Sequence, residues 1–150
     1  MKKVLLFIVA AAFLAAPASF GQSNTLMDGY LGKARADYAS SAYFILSAAG
    51  VVPETASPGE AVEKARAQWG IEPPEGRDSL TLGEFSHLVM RAFGIPGGIM
   101  YTFVPGPRYA ARELGYREFI LDKPWPDRSL SGEEALSILG EALAWKEAGR

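Results

Sequence analysis

Cysteine is absent from the 150 residues, which excludes disulfides, thiolate metal ligands and the lipid-modified cysteine of a bacterial lipoprotein. Retention at an envelope would need another device. Histidine occurs once, at His87, and the carboxylates are scattered, so no ligand spacing for a metal ion is present. Gly-x-Ser-x-Gly is missing as well, and no nucleophile turn accompanies His87 to make it a general base. On this reading the chain is not an enzyme and takes no cofactor, and His87 is a solvated helix-surface residue beside Glu84 and Arg91. Long runs of one charge are also lacking. With Lys2 and Lys3 set aside, 13 basic residues face 17 acidic ones, a net charge of −4. Nucleic acid and anionic lipid headgroups are therefore not expected as principal partners.

The N-terminus is where the sequence is richest in apolar residues. Lys2 and Lys3 precede an unbroken apolar run from Val4 to Ala16, followed by Pro17 and small residues. That order reads as a secretory signal peptide over residues 1–21. The run is shorter than the roughly 20 residues needed for a spanning helix, so no stable transmembrane anchor is expected after cleavage. Two sites satisfy the small-x-small preference, after Ala18 and after Gly21. The expected location is outside the cytoplasm, in the periplasm or cell envelope.

About 130 residues remain, enough for one domain with a real core. Residues 22–33 are polar and glycine-containing and predict a flexible tether or a frayed helix start. From about Ala34 helical spacing sets in, with Tyr38, Ala42, Ile45 and Ala49 on one face before Gly50. Ser57-Pro58-Gly59-Glu60 then places a capping serine, a first-turn proline and a reciprocal glutamate at a second helix start. That helix stops at Gly70. Thr81 and Glu84 repeat the pattern ahead of Phe85, Leu88, Val89 and Ala92, and Ser131 and Glu134 do so ahead of a final helix carrying Leu136, Leu139 and Leu143. A short helix is expected from about Arg108 to Leu114, stopped by Gly115. The glycines and prolines between 94 and 107 forbid a long helix around Ile99–Val104. That apolar stretch is either a partner surface or a buried crossing, with a short extended segment near Met100–Val104 as the only sheet-like element expected.

Laid on itself, the chain repeats. Gly70 matches Gly115, Pro74-Glu75 matches Pro126-Asp127, and Thr81-Glu84 matches Ser131-Glu134, at offsets of 45, 52 and 50 residues. A period near 50 marks supersecondary units that bury apolar faces against their neighbours. The expected fold is all-α, about five helices in two helix-loop-helix repeats plus a leading half repeat.

Leu80-Thr81-Leu82-Gly83-Glu84-Phe85 resembles the Ile-Thr-Arg-Ala-Glu-Phe motif that opens the longer helix in the S-layer homology domain family, and Leu130-Ser131-Gly132-Glu133-Glu134-Ala135 does so more loosely. Trp125-Pro126-Asp127 is similar to the family's Phe-x-Pro-Asp turn, one residue shorter, and Val104-Pro105 with Arg108-Tyr109-Ala110 to the opening of its short helix. The resemblance covers about Asp37 to Trp145 within a domain bounded at 34–147. It implies a cell-wall-associated protein whose repeats hold wall polysaccharide or a peptidoglycan-linked polymer. The motif's arginine, which the family associates with that binding, is replaced by Leu82 and Gly132. Only Ala34-Arg35-Ala36-Asp37-Tyr38 retains one, at Arg35.

Four residues are therefore the candidate ligand-binding set: Arg35, Arg77, Trp125 and Arg128. Trp125 offers a flat apolar face for a sugar ring. Arg77 and Arg128 occupy corresponding turns, where a guanidinium can hold a carboxylate bidentately. The alternative is a periplasmic structural or interaction module whose partner is another envelope protein. Ser57, Glu60, Thr81, Glu84, Ser131 and Glu134 are assigned to helix capping, since each pair satisfies backbone donors that a helix start leaves open.

Overall fold

The computed structural model describes residues 19–149, so the predicted export segment through Ala18 lies outside the described residues. Among these residues the fold is all-α, with seven helices and no strand: α1 (Ser19–Leu31), α2 (Tyr38–Ala48), α3 (Pro58–Trp69), α4 (Leu82–Phe93), α5 (Ile99–Phe103), α6 (Pro107–Tyr116) and α7 (Gly132–Glu147). None is long and apolar enough to cross a membrane.

Local chemistry accounts for most helix starts. Ser57 and Thr81 accept from the backbone N–H of Glu60 and Glu84, and both glutamates answer with a bond to the cap's own N–H, completing two capping boxes. Asp37 caps α2 by accepting from the Ser40 N–H at 2.9 Å, which starts that helix at Tyr38, later than the start near Ala34 that the spacing suggests. Ser131 caps α7 at 3.1 Å. Gly70 and Gly94 end α3 and α4 in the left-handed conformation. Gly115, expected as a stop, lies inside α6, and the positive φ falls instead on Glu118, at 64°.

Among the described residues, three of the four starts with a side-chain cap meet at the centre. Ala36, Leu80 and Leu130, each one residue before its cap, are all buried. The Ala36 N–H donates to the Leu130 carbonyl at 2.9 Å and the Leu80 N–H to the Ala36 carbonyl at 3.1 Å. The Leu82 N–H donates to the Arg128 carbonyl at 2.8 Å and the Gly132 N–H to the Lys33 carbonyl at 2.9 Å. The cap segments of α2, α4 and α7 are thus joined in a ring, which leaves their backbone groups satisfied where they are buried. Two isolated antiparallel bridges, Asp37 with Ser79 and Thr81 with Ser129, belong to this ring.

Each central helix carries one partner on its outer side: α3 packs on α2, α6 on α4, and α1 on α7. This corrects the reading of residues 22–33 as a flexible segment, because the chain is helical through Leu31 and Tyr30 is buried. The Tyr30 hydroxyl lies 2.6 Å from the buried Ser41 Oγ and its ring centroid 5.0 Å from that of Phe44. Its backbone crosses the start of α7 so closely that a side chain at Gly132 would strike the Tyr30 carbonyl. The expected extended segment near Met100–Val104 is also replaced, by the single turn α5. The core between the lobes is filled by Ile45, Leu46, Phe85, Leu88, Leu114 and Ile138.

Candidate functional site

Basic side chains brace the ring from the turns that lead into each cap. Lys33 pairs with the Asp37 carboxylate. Burial alone would raise the pKa of Asp37, but bonds from Lys33 and from Ser40 outweigh it and hold the carboxyl below its usual range. Arg77 donates to the Ser79 carbonyl at 2.6 Å and to Glu84 Oε1 at 2.6 Å. Arg128 grips Glu134 with two bonds, one of 2.8 Å, and also donates to the Lys123 and Ser129 carbonyls. That grip, with a smaller opposing effect of burial, raises its pKa further. Glu134 consequently bonds Arg128 where Glu84 bonds its cap, and α7 has the serine cap without the reciprocal half of the box.

Two open grooves lie beside these braces. The first, about 800 Å³, sits where α2 begins, between the turn Pro73–Asp78 and the first half of α3, and is lined by Arg77, Lys33 and Asp37. The second, about 920 Å³, runs between Pro107-Arg108 at the start of α6 and the turn Trp125–Arg128. Pro107 and Pro126, one from each side, both pack on Gly83 of α4, where a Cβ would come within 3.0 Å of each. Each groove therefore lies at a helix start, between the next short helix and the turn that follows it.

The four candidate residues divide between these places. Trp125 and Arg128 share the second groove, Arg77 belongs to the first, and Arg35 is exposed but lines neither. Trp125 keeps 61% of its surface exposed, with the Lys123 ammonium 4.9 Å from the ring centre. Arg77 and Arg128 have committed their guanidinium groups to carboxylates of the chain itself. The cation that sequence spacing did not single out is Arg108. It is exposed in the Trp125 groove, with no ion pair among the described residues.

No protein-family model matches the chain, and no curated protein or solved structure is significantly similar to it. An exposed indole beside a free guanidinium suits a ring-shaped, partly anionic ligand, because the ring can stack while the acid is held electrostatically.

His87 is also placed differently from its expected position. It is buried, and its Nδ1 lies 3.1 Å from the Tyr101 hydroxyl with the rings edge to face at 5.8 Å. Loss of hydration, with Arg91 as a smaller cause, pushes its pKa down to about 4, so it is neutral at physiological pH. Among the described residues no group of three His, Asp or Glu side chains is placed to hold a metal ion.

Proposed function

We propose that this is an exported, non-catalytic cell-envelope protein that binds cell-wall glycan, or a polymer attached to it, through S-layer-homology-like repeats. The observation that carries the reading is the groove of Trp125 and Arg108: an exposed aromatic face on a braced turn and an unpaired cation at the start of α6, both lining one groove. The apolar run after Lys2 and Lys3 supports export. The period near 50 residues and the ring of three capped starts support the repeat reading. A second reading, a periplasmic structural or interaction module without glycan affinity, draws on a different fact. Arg77 and Arg128 are already paired inside the chain, and Leu82 and Gly132 stand where the family's arginine would be.

Co-sedimentation with purified cell walls, carrying or stripped of their attached polymers, tests the proposal. The mature protein should pellet with at least one preparation. Trp125→Ala and Arg108→Ala should each weaken binding by roughly tenfold, the scale of one lost stacking or charge contact, with unfolding midpoints unchanged. Binding to neither preparation would leave only the structural reading.

A further inference from the structure

The segment between Gly94 and Pro107 departs from the three-lobed plan. Its single turn, α5, has one side chain turned inward, the buried Tyr101 that meets His87. With Tyr101 as the anchor, the remaining apolar side chains point to solvent: Ile99 is 72% exposed, Met100 60%, Phe103 79% and Val104 60%. Four large apolar residues within six positions form a contiguous exposed patch, which soluble surfaces seldom carry without a use.

The charge around this patch is not that of the whole chain. From Arg91 to Arg117 the sequence holds four arginines, Arg91, Arg108, Arg112 and Arg117, against Glu113 alone. Arg117 donates to the Pro96 carbonyl at 2.6 Å, which places it at the base of the α5 segment. Arg91 lies within electrostatic reach of both Tyr101 and His87. Arg112 is exposed one turn away on α6 and donates to the hydroxyl of the exposed Tyr116 at 3.2 Å. The overall negative charge therefore conceals a stretch from Arg91 to Glu118 in which four arginines face two acids, Glu113 at the base of α5 and Glu118.

We propose that α5 docks the protein on a bilayer surface containing anionic lipids, with Ile99, Met100, Phe103 and Val104 entering the headgroup region and Arg91, Arg112 and Arg117 facing its phosphates. Apolar insertion and attraction to anionic headgroups reinforce each other in such interfacial elements. Lipid is favoured over a protein partner by the excess of arginine over acid in the stretch that carries the apolar tip, the charge that an anionic surface complements.

Flotation of the mature chain with vesicles of phosphatidylcholine, alone or mixed with phosphatidylglycerol, tests this. Binding should require phosphatidylglycerol and should fall with added salt. Ile99→Ser combined with Phe103→Ser, and separately Arg91→Gln combined with Arg112→Gln, should each weaken it by tenfold or more. Both changes lie on exposed side chains, and circular dichroism with urea midpoints confirms that each variant is folded. Absence of wild-type binding, equal binding to neutral vesicles, or full binding by the serine variant would overturn the proposal. So would a concentration-dependent dimer that the serine variant abolishes in the absence of any lipid binding, since the face would then belong to a second copy. Neither pair of variants touches Trp125 or Arg108, so failure here leaves the glycan reading standing, and the reverse.

Discussion

Replacing Tyr30 tests whether α1 is a working part of the fold. The side chain is almost wholly buried against Phe44, and its hydroxyl shares a 2.6 Å bond with Ser41 Oγ. Ser41 also donates to the Asp37 carbonyl at 2.6 Å, so deleting the tyrosine hydroxyl does not strand it. Tyr30→Phe should therefore cost about 1 kcal/mol, the net worth of one hydrogen bond. Tyr30→Ala removes the ring as well and should cost about 4 kcal/mol, the range for aromatic-to-alanine changes in a core. With a urea slope of about 2 kcal/mol per molar, usual for this size, the midpoints should fall by about 0.5 M and about 2 M. Tryptophan emission and far-ultraviolet circular dichroism should report the same transitions. A Tyr30→Ala midpoint within about 0.3 M of wild type, on that same slope, would mean that the Tyr30 side chain does not dock α1 against Ser41 and Phe44 of α2. Burial, opposed in part by the Ser41 bond, raises the Tyr30 phenol, and Tyr38 is likewise pushed up to about 12 by burial. Both neutral phenols thus favour the folded state below pH 10, and that contribution is lost as pH climbs through their folded values.

Two further perturbations address local features. His87 is held near pKa 4 when folded against an ordinary value of 6.5, so the unfolded chain binds more protons between those values. Its contribution is complete above pH 6.5 and is lost as pH falls toward 4. The wild-type urea midpoint should drop more from pH 7.5 to pH 4.5 than that of His87→Gln, and parallel drops would refute the buried placement. Thr81→Ala and Ser131→Ala should each cost about 0.5 to 2 kcal/mol. Unchanged denaturation midpoints in both would remove the capping assignment.

The features legible in the sequence were those decided within one turn of chain. Ser57 with Glu60 and Thr81 with Glu84 form their boxes because both partners sit on the same nascent helix. Glu134 has the same spacing from Ser131, yet Arg128 arrives from the preceding turn with two charged donors and takes its carboxylate. Nothing in Asn24, Asp28, Gly29 or Gly32 favours a helix, and α1 is instead tied in place by Tyr30, whose partners lie far along the chain. His87 looked solvated beside Glu84 and Arg91 because Tyr101, which covers it, comes 14 residues later. Trp125 and Arg128 could be paired as neighbours in one turn. Arg108 could not, since only the packing of α6 beside that turn brings it into the groove.

The pairing of α1 with α7 makes the described chain topologically circular: its first helix is completed by its last. Roughly 100 residues must be ordered between Tyr30 and Gly132 before their contact can form, and closures of that span are slow compared with local helix pairing. A chain made or delivered N-terminus first would therefore carry α1 with its α7 face unmatched until the final helix arrived. A C-terminal truncation ahead of Leu130 would leave the Ala36 N–H and the Lys33 carbonyl without their partners and the central ring open.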